Sequence, residues 1–142
     1  MRILGLDYGK KRIGVAVCDE IGMIAQGMAV IERKNKKHDL EAIARYVQTC
    51  GAKKIVIGYP LRLDGTAGIQ CEKVDRFILS LESVFSIPII RWDETLTTKD
   101  AEEILRTANV RAKKRKAVVD KIAAGIILQG YLDSLIKVGK NL

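Results

Sequence analysis

Histidine is almost missing from this sequence of 142 residues, which contains only His38. A Ser/His/Asp or Cys/His nucleophilic site would have to use His38 itself, and an imidazole-based metal centre has no ligand set to draw on. His38 lies beside Lys36 and Lys37, where a surface role is the simpler reading. Cysteine is scarce and scattered. Cys18, Cys50 and Cys71 form no CxxC pair and no zinc-like spacing with histidine, which points to reduced thiols and a cytoplasmic protein. They read as small, semi-buried residues. Proline occurs at Pro60 and Pro88 only, and no linker, internal repeat or low-complexity tract interrupts the chain, so one domain over 1–142 is expected. Aromatic residues make up 5%, too little for a stacking platform for single-stranded nucleic acid. No apolar run approaches the ~18 residues of a membrane-spanning helix, and the acid at Asp7 comes too early for a signal-peptide core.

What is present is a core and an excess of base. Hydrophobic residues are 48%, and 25 Lys+Arg against 17 Asp+Glu leave a formal charge of +8. A basic domain of this size seeks anionic partners, with nucleic acid first and an anionic membrane second. Short apolar or alternating runs predict strands over 3–6, 12–18, 23–31, 54–59 and 87–92. Helical spacing joins Leu40, Ile43, Ala44 and Val47, with Asp39 as a candidate N-cap and Gly51 as a stop. A second helix carries Val74, Phe77, Ile78, Leu81 and Phe85. A third, capped by Thr97 or Thr98, carries Ala101, Ile104, Leu105 and Ala108. The last helix begins near Val118 and runs toward Ile136, after a basic stretch. Three leading strands suggest an antiparallel meander, and strands alternating with helices suggest parallel additions. The expected class is α/β, a mixed five-stranded sheet flanked by helices.

Several acids fall where chemistry could sit. Asp7 follows the first strand, at an edge where open α/β sheets place their ligands; a turn acid beside Gly9 is an equally good reading. Asp93 and Glu94 follow the fifth strand, and alternation points them to opposite faces, so at most one serves a site shared with Asp7. Helix-start acids are the plain alternative. Asp120 shares a helix face with Ala123, Ala124 and Ile127, where a charge is costly unless paired; it is either an N-cap or first-turn acid, or a metal ligand. Acids on separate elements, with no Cys/His cluster, suit Mg²⁺ or Mn²⁺, and a pair of such ions can hydrolyse a phosphodiester without histidine. The loop over 58–68 is glycine-containing and precedes a helix, but lacks a Gly-Lys-Ser/Thr phosphate motif; an ordinary loop is the commoner outcome. The stretch over 106–121 is strongly basic. It reads as solvated surface, as a grip on a phosphate backbone beside Asp120, or as a segment that orders on substrate.

Four segments together resemble the YqgF (RuvX) family: Leu4-Gly5-Leu6-Asp7-Tyr8-Gly9-Lys10-Lys11-Arg12-Ile13-Gly14-Val15-Ala16-Val17, the loop over 58–65, Asp93-Glu94-Thr95-Leu96-Thr97-Thr98, and Val119-Asp120-Lys121-Ile122-Ala123-Ala124. They fall in family order across nearly the whole chain. The family is described as a candidate Holliday junction resolvase and, in bacteria, as a nuclease maturing the 5′ end of the 16S ribosomal RNA precursor. The resemblance implies a ribonuclease H-like fold, a cytoplasmic setting, dependence on Mg²⁺ or Mn²⁺, and catalytic, metal-holding carboxylates at Asp7, Glu94 and Asp120, choosing Glu94 over Asp93. The family often has Thr where Lys10 stands and Arg where Thr95 stands. Arg62 or the run around Lys113 would then supply the missing grip on phosphate.

The resulting expectation is a metal-dependent endonuclease acting on structured RNA, with precursor rRNA as substrate. Lys11, Arg12, Arg62, Arg111, Lys113, Lys114, Arg115 and Lys116 are the expected nucleic-acid contacts, and a ribosomal partner is conceivable. Junction resolution on four-way DNA uses the same site and favours a dimer. A non-catalytic RNA-binding module of ribosome assembly is the rival from another class. Gly5-Leu6-Asp7-Tyr8-Gly9 also resembles the phosphate loop of actin-like ATPases and sugar kinases, but those close two such domains around ATP and 142 residues leave room for one.

Overall fold

The computed structural model describes residues 1–60, 68–93 and 112–140, with side chains in the last segment over 119–136. Five strands form one sheet: β1 (Ile3–Tyr8), β2 (Arg12–Cys18), β3 (Ala25–Glu32), β4 (Lys54–Tyr59) and β5 (Ile89–Asp93), in the order β3-β2-β1-β4-β5. The β1–β2 and β2–β3 pairs are antiparallel, and the β1–β4 and β4–β5 pairs parallel. Helix α1 (Lys36–Cys50) connects β3 to β4, α2 (Ile69–Val84) precedes β5, and α3 (Ala112–Lys140) follows it. This is the mixed sheet anticipated from the order of apolar runs, with helices on both faces. The helix expected over 97–108 lies outside the described residues.

Alternation along the strands divides the core in two. Leu4, Leu6, Ile13, Val15, Ile55 and Ile57 face α1 and α2, where they meet Ile43, Val74, Ile78 and Leu81. Ile3, Ala16, Cys18 and Val56 face α3 and meet Ala124, Ile127, Leu128 and Leu132. The second face is built from smaller side chains, and three glycines make it smaller still. A Cβ on Gly5 would stand 2.8 Å from Leu128 Cβ, one on Gly27 2.8 Å from the Lys121 carbonyl oxygen, and one on Gly14 only 1.9 Å from the Asp120 carbonyl oxygen. The backbone of α3 therefore rests almost directly on β1, β2 and β3, and no larger residue fits at Gly14 without moving the helix.

Boundaries differ from the sequence reading where tertiary contacts extend or shift an element. β1 continues to Tyr8, so Asp7 lies inside the strand; the hairpin register pairs it with Gly14, and Tyr8 with Ile13. The turn that follows is closed by Gly9 N–H donating to the Arg12 carbonyl at 2.9 Å. The N-cap of α1 is Asn35, whose side chain accepts from the His38 N–H at 2.8 Å, and not Asp39. Asp39 instead sits buried in the first turn, where the helix dipole favours an acid, and accepts from the Lys34 N–H at 3.1 Å. Gly51 ends α1 at φ 63°, as anticipated. Helix α3 starts at Ala112 and not near Val118. Lys and Arg are good helix formers, so the basic stretch continues the helix toward its N-terminus instead of preceding it.

Candidate active site

Asp7 points to the α3 face. Leu4 and Leu6 pack into the α1/α2 core and Tyr8 stacks on Phe77 of α2, so the odd-numbered positions of β1 look the other way. On that face the nearest strand neighbour of Asp7 is Gly14, and over Gly14 lies the backbone of Asp120. The carboxylate of Asp120 is directed toward the start of β2, where Arg12 Nε donates to its Oδ2 at 2.7 Å. Arg12 and Gly14 share a face of β2, so Asp7, Asp120 and Arg12 gather at one end of the sheet, the carboxyl end of β1.

Asp120 is half-buried, with 19% of its side chain exposed, and lies more than two turns inside α3. That overturns the N-cap and first-turn reading. The cost of holding a charge beside Ala123, Ala124 and Ile127 is offset by the Arg12 guanidinium. The effect is reciprocal: the hydrogen bond to Asp120 raises the Arg12 pKa above its ordinary value, outweighing the opposing effect of burial. Arg12, anticipated as a phosphate contact, is here engaged by a carboxylate.

The fifth strand assigns a face to the first of the two adjacent acids, Asp93. Ile90 and Trp92 pack toward α3, whereas Ile89 packs toward α2 and Arg91 Nε donates to Asp75 Oδ1 of α2 at 3.0 Å. Asp93 keeps the parity of Arg91 and lies on the face opposite Asp7. Glu94, Arg62 and Arg111 fall outside the described residues, as do the side chains of Lys113, Lys114, Arg115 and Lys116, whose backbone forms the start of α3. Lys11 is exposed in the β1–β2 turn. Among the described residues, no group of three or more His, Cys, Asp or Glu side chains comes together as a metal centre. The donors that do share the face, Asp7 and Asp120, are hard carboxylate oxygens of the kind Mg²⁺ and Mn²⁺ prefer, so the residues present fit such an ion as part of its ligand set.

Two arrangements had no sequence signal strong enough to find. Asp75 joins Arg91 and also accepts from the Tyr59 hydroxyl at 2.9 Å, linking α2 to the ends of β4 and β5. Burial, reinforced by Asp75, pushes the Tyr59 phenol up to about 12. The close seat of α3 on Gly14 was detectable only as a glycine inside an apolar strand, which marks a near approach without naming the partner.

A family model described as "RuvX: Holliday junction resolvase" matches residues 1–134. The chain belongs to the RuvX family. Relatives agree: it is 62% identical over 135 residues, 95% of this chain and 90% of the other, to a protein of Syntrophus aciditrophicus (strain SB) described as "Putative pre-16S rRNA nuclease". A protein of Halothermothrix orenii with the same description is 49% identical over 133 residues, 94% and 95% of the two chains. Among solved structures, the fowlpox virus resolvase in complex with Holliday junction DNA superposes with a TM-score of 0.56 at 16% identity, covering 95% of this chain and 99% of that one. Thermus thermophilus RuvC with a junction substrate gives 0.56 at 14% identity, covering 96% of each. At those identities the likeness concerns the fold, which is the ribonuclease H-like architecture of the RuvC resolvases. No described helix is long and apolar enough to cross a membrane.

Proposed function

We propose that this RuvX-family chain is a single-domain, divalent-metal-dependent endonuclease of the cytoplasm that hydrolyses phosphodiester bonds in structured nucleic acid, with 5′-end processing of the 16S rRNA precursor as its task. The observation that carries the reading is the convergence of Asp7 and Asp120, from β1 and α3, on one face at the carboxyl end of β1. Relatives at 62% and 49% identity, each described as "Putative pre-16S rRNA nuclease", supply the substrate class.

In this proposal Asp7, Glu94 and Asp120 hold Mg²⁺ or Mn²⁺. When bound, the metal lowers the pKa of a water and neutralises charge on the leaving oxygen. Asp7, on a rigid central strand, fixes the position of the site. Asp120 is oriented by Arg12, whose charge also keeps the two carboxylates from repelling each other before metal and substrate arrive. Arg62 and the basic start of α3, from Arg111 to Lys116, hold the flanking phosphates.

Cleavage of precursor 16S rRNA in Mg²⁺ or Mn²⁺ by the wild type, Asp7→Asn and Asp120→Asn tests the assignment. Loss of a directly coordinating carboxylate should cost at least the ~100-fold that removing a metal's outer support can cost. Wild-type rates in Asp7→Asn would remove it from the site. A second reading, resolution of four-way DNA, is favoured by the description of the matching family model. Four-way DNA assayed beside RNA, with the solution mass measured, separates the two: symmetric junction cleavage by a dimer supports resolution, and RNA cleavage by a monomer supports processing.

A further inference from the structure

On the opposite face of the sheet from Asp7 and Asp120, but at the same end, lies an open cavity of about 770 Å³. Three walls form it. The β1–β2 turn contributes Lys10 and Lys11. The β3–α1 connection contributes Arg33 and Lys34, and the first residue of α1 contributes Lys36. The first half of α2 contributes Lys73 and Arg76. Two carboxylates, Glu32 and Asp39, line it as well. Asp39 is buried and already engaged, with Arg33 Nε 3.6 Å from one oxygen and His38 Nδ1 3.0 Å from the other. The described ion pairs use only one of the seven cations, Arg33. A concave surface with such an excess of one sign concentrates polyanions.

The floor of the cavity decides what kind of polyanion. The Tyr8 ring stacks on Phe77 at 4.2 Å between centroids, and the Arg33 guanidinium lies 4.4 Å from the Tyr8 centroid. At those two distances the partners must occupy opposite faces of the ring. Tyr8 is thus sandwiched and offers no face to a nucleobase. Arg33 is a strut as well: its NH1 donates to the carbonyls of Gly9 at 2.8 Å and Lys10 at 3.0 Å, fixing the turn that carries Lys10 and Lys11. The cations that remain to meet a ligand are flexible ammonium groups and Arg76, which suit the charge of a phosphate backbone.

We propose that this cavity is a second phosphate-backbone site, which holds a part of the substrate nucleic acid remote from the scissile bond. The inference rests on the reading that the substrate is nucleic acid. The β1–β2 turn is the bridge between the two sites. Asp7 precedes it on the α3 face, Tyr8 looks into the cavity, and Lys10 and Lys11 stand at the rim between them. A strand passing Asp7 and Asp120 can continue around this end of the sheet only if the molecule is long, bent or branched. The second site thereby selects structured nucleic acid over a short linear oligonucleotide.

The test measures binding without cleavage, by anisotropy of labelled duplex RNA and four-way DNA in EDTA over a range of salt. Lys73 and Arg76 are exposed on α2, so Lys73→Gln/Arg76→Gln should fold normally. Without these two cations, affinity should fall several-fold, and the slope of log K against log salt should flatten by about 1.8. Arg45→Gln/Lys53→Gln removes the same charge from exposed positions that do not line the cavity, and should change the slope little. Unchanged slopes in the cavity variant, or equal changes in both, overturn the proposal. So does a wild type that binds inorganic polyphosphate through Lys73 and Arg76 but neither nucleic acid. A cavity-dependent binding difference without any cleavage by the wild type leaves this site standing and rejects the nuclease reading instead.

Discussion

Asp120 illustrates how a single position gains its meaning from a residue 108 places away. Its helical neighbours alone raise the question of what pairs with it, and Arg12 is the answer. The pair is partly exposed, so its worth is bounded by that of surface ion pairs, about 1 kcal/mol or less. Urea unfolding of Arg12→Gln, Asp120→Asn and the double variant should give a coupling free energy of about 1 kcal/mol or less. A larger value would mean that Asp120 becomes a buried, unpaired charge once Arg12 is gone. Tyr59 gives a prediction with a defined pH window. Its phenol is raised from 10.0 to about 12, mainly by burial and further by Asp75. The neutral phenol is the form that the fold favours. Its contribution to stability is therefore complete below about pH 10 and is lost as pH rises toward about 12. Absorbance titration should show one phenol ionising near that upper value, absent in Tyr59→Phe and shifted downward in Asp75→Asn.

At the scale of elements, the strands were the most legible part of the sequence, because β-branched and leucine runs bounded by glycine, proline or charge have few other readings. β2 and β4 begin and end where periodicity places them. Errors collected at ends that depend on partners. β1 gains Asp7 and Tyr8 from pairing with β2, and α3 gains its early turns from residues whose charge drew attention away from their helix propensity. Of the site, Asp7 and Asp120 could be nominated as isolated acids, but which acids share a face required the sheet. Asp93 is the instructive case: periodicity alone leaves open which face it takes, and the packing of Ile90 and Trp92 against α3 decides it. Docking of α3 depends on Gly14. Placing a methyl group where the Asp120 carbonyl lies, 1.9 Å from the ideal Cβ, should cost about 1–3 kcal/mol through overpacking. Gly14→Ala should therefore lower the melting temperature and reduce cleavage together, whereas Arg12→Gln leaves the helix seated.

For the whole molecule, the excess of base behind the charge of +8 includes seven cations gathered in one cavity at one end of the sheet. Helix α3, whose first turns carry the basic run in the sequence, packs on the face that carries Asp7 and Asp120, and the seven-cation cavity lies on the other. Composition could announce a polyanion partner, but it could not announce two surfaces for it. Lys10, Lys34 and Lys73 are far apart in sequence, and nothing in the order of the residues shows that they line one cavity.

The glycine-floored seat of α3 has one more consequence, for activity under stress. Asp7 belongs to a central strand bonded on both sides, while Asp120 arrives on a helix held to the sheet by side-chain packing, close backbone contact and a few side-chain hydrogen bonds such as those of Arg12 with Asp120 and of Gln129 with Ala25, without a backbone ladder. A partial opening that lifts α3 would leave the five-stranded sheet and its α1/α2 layer intact yet dismantle the carboxylate pair. Hydrolysis would then stop well before the protein melted, and enzymatic rate would serve as a gauge of helix docking and not of global stability.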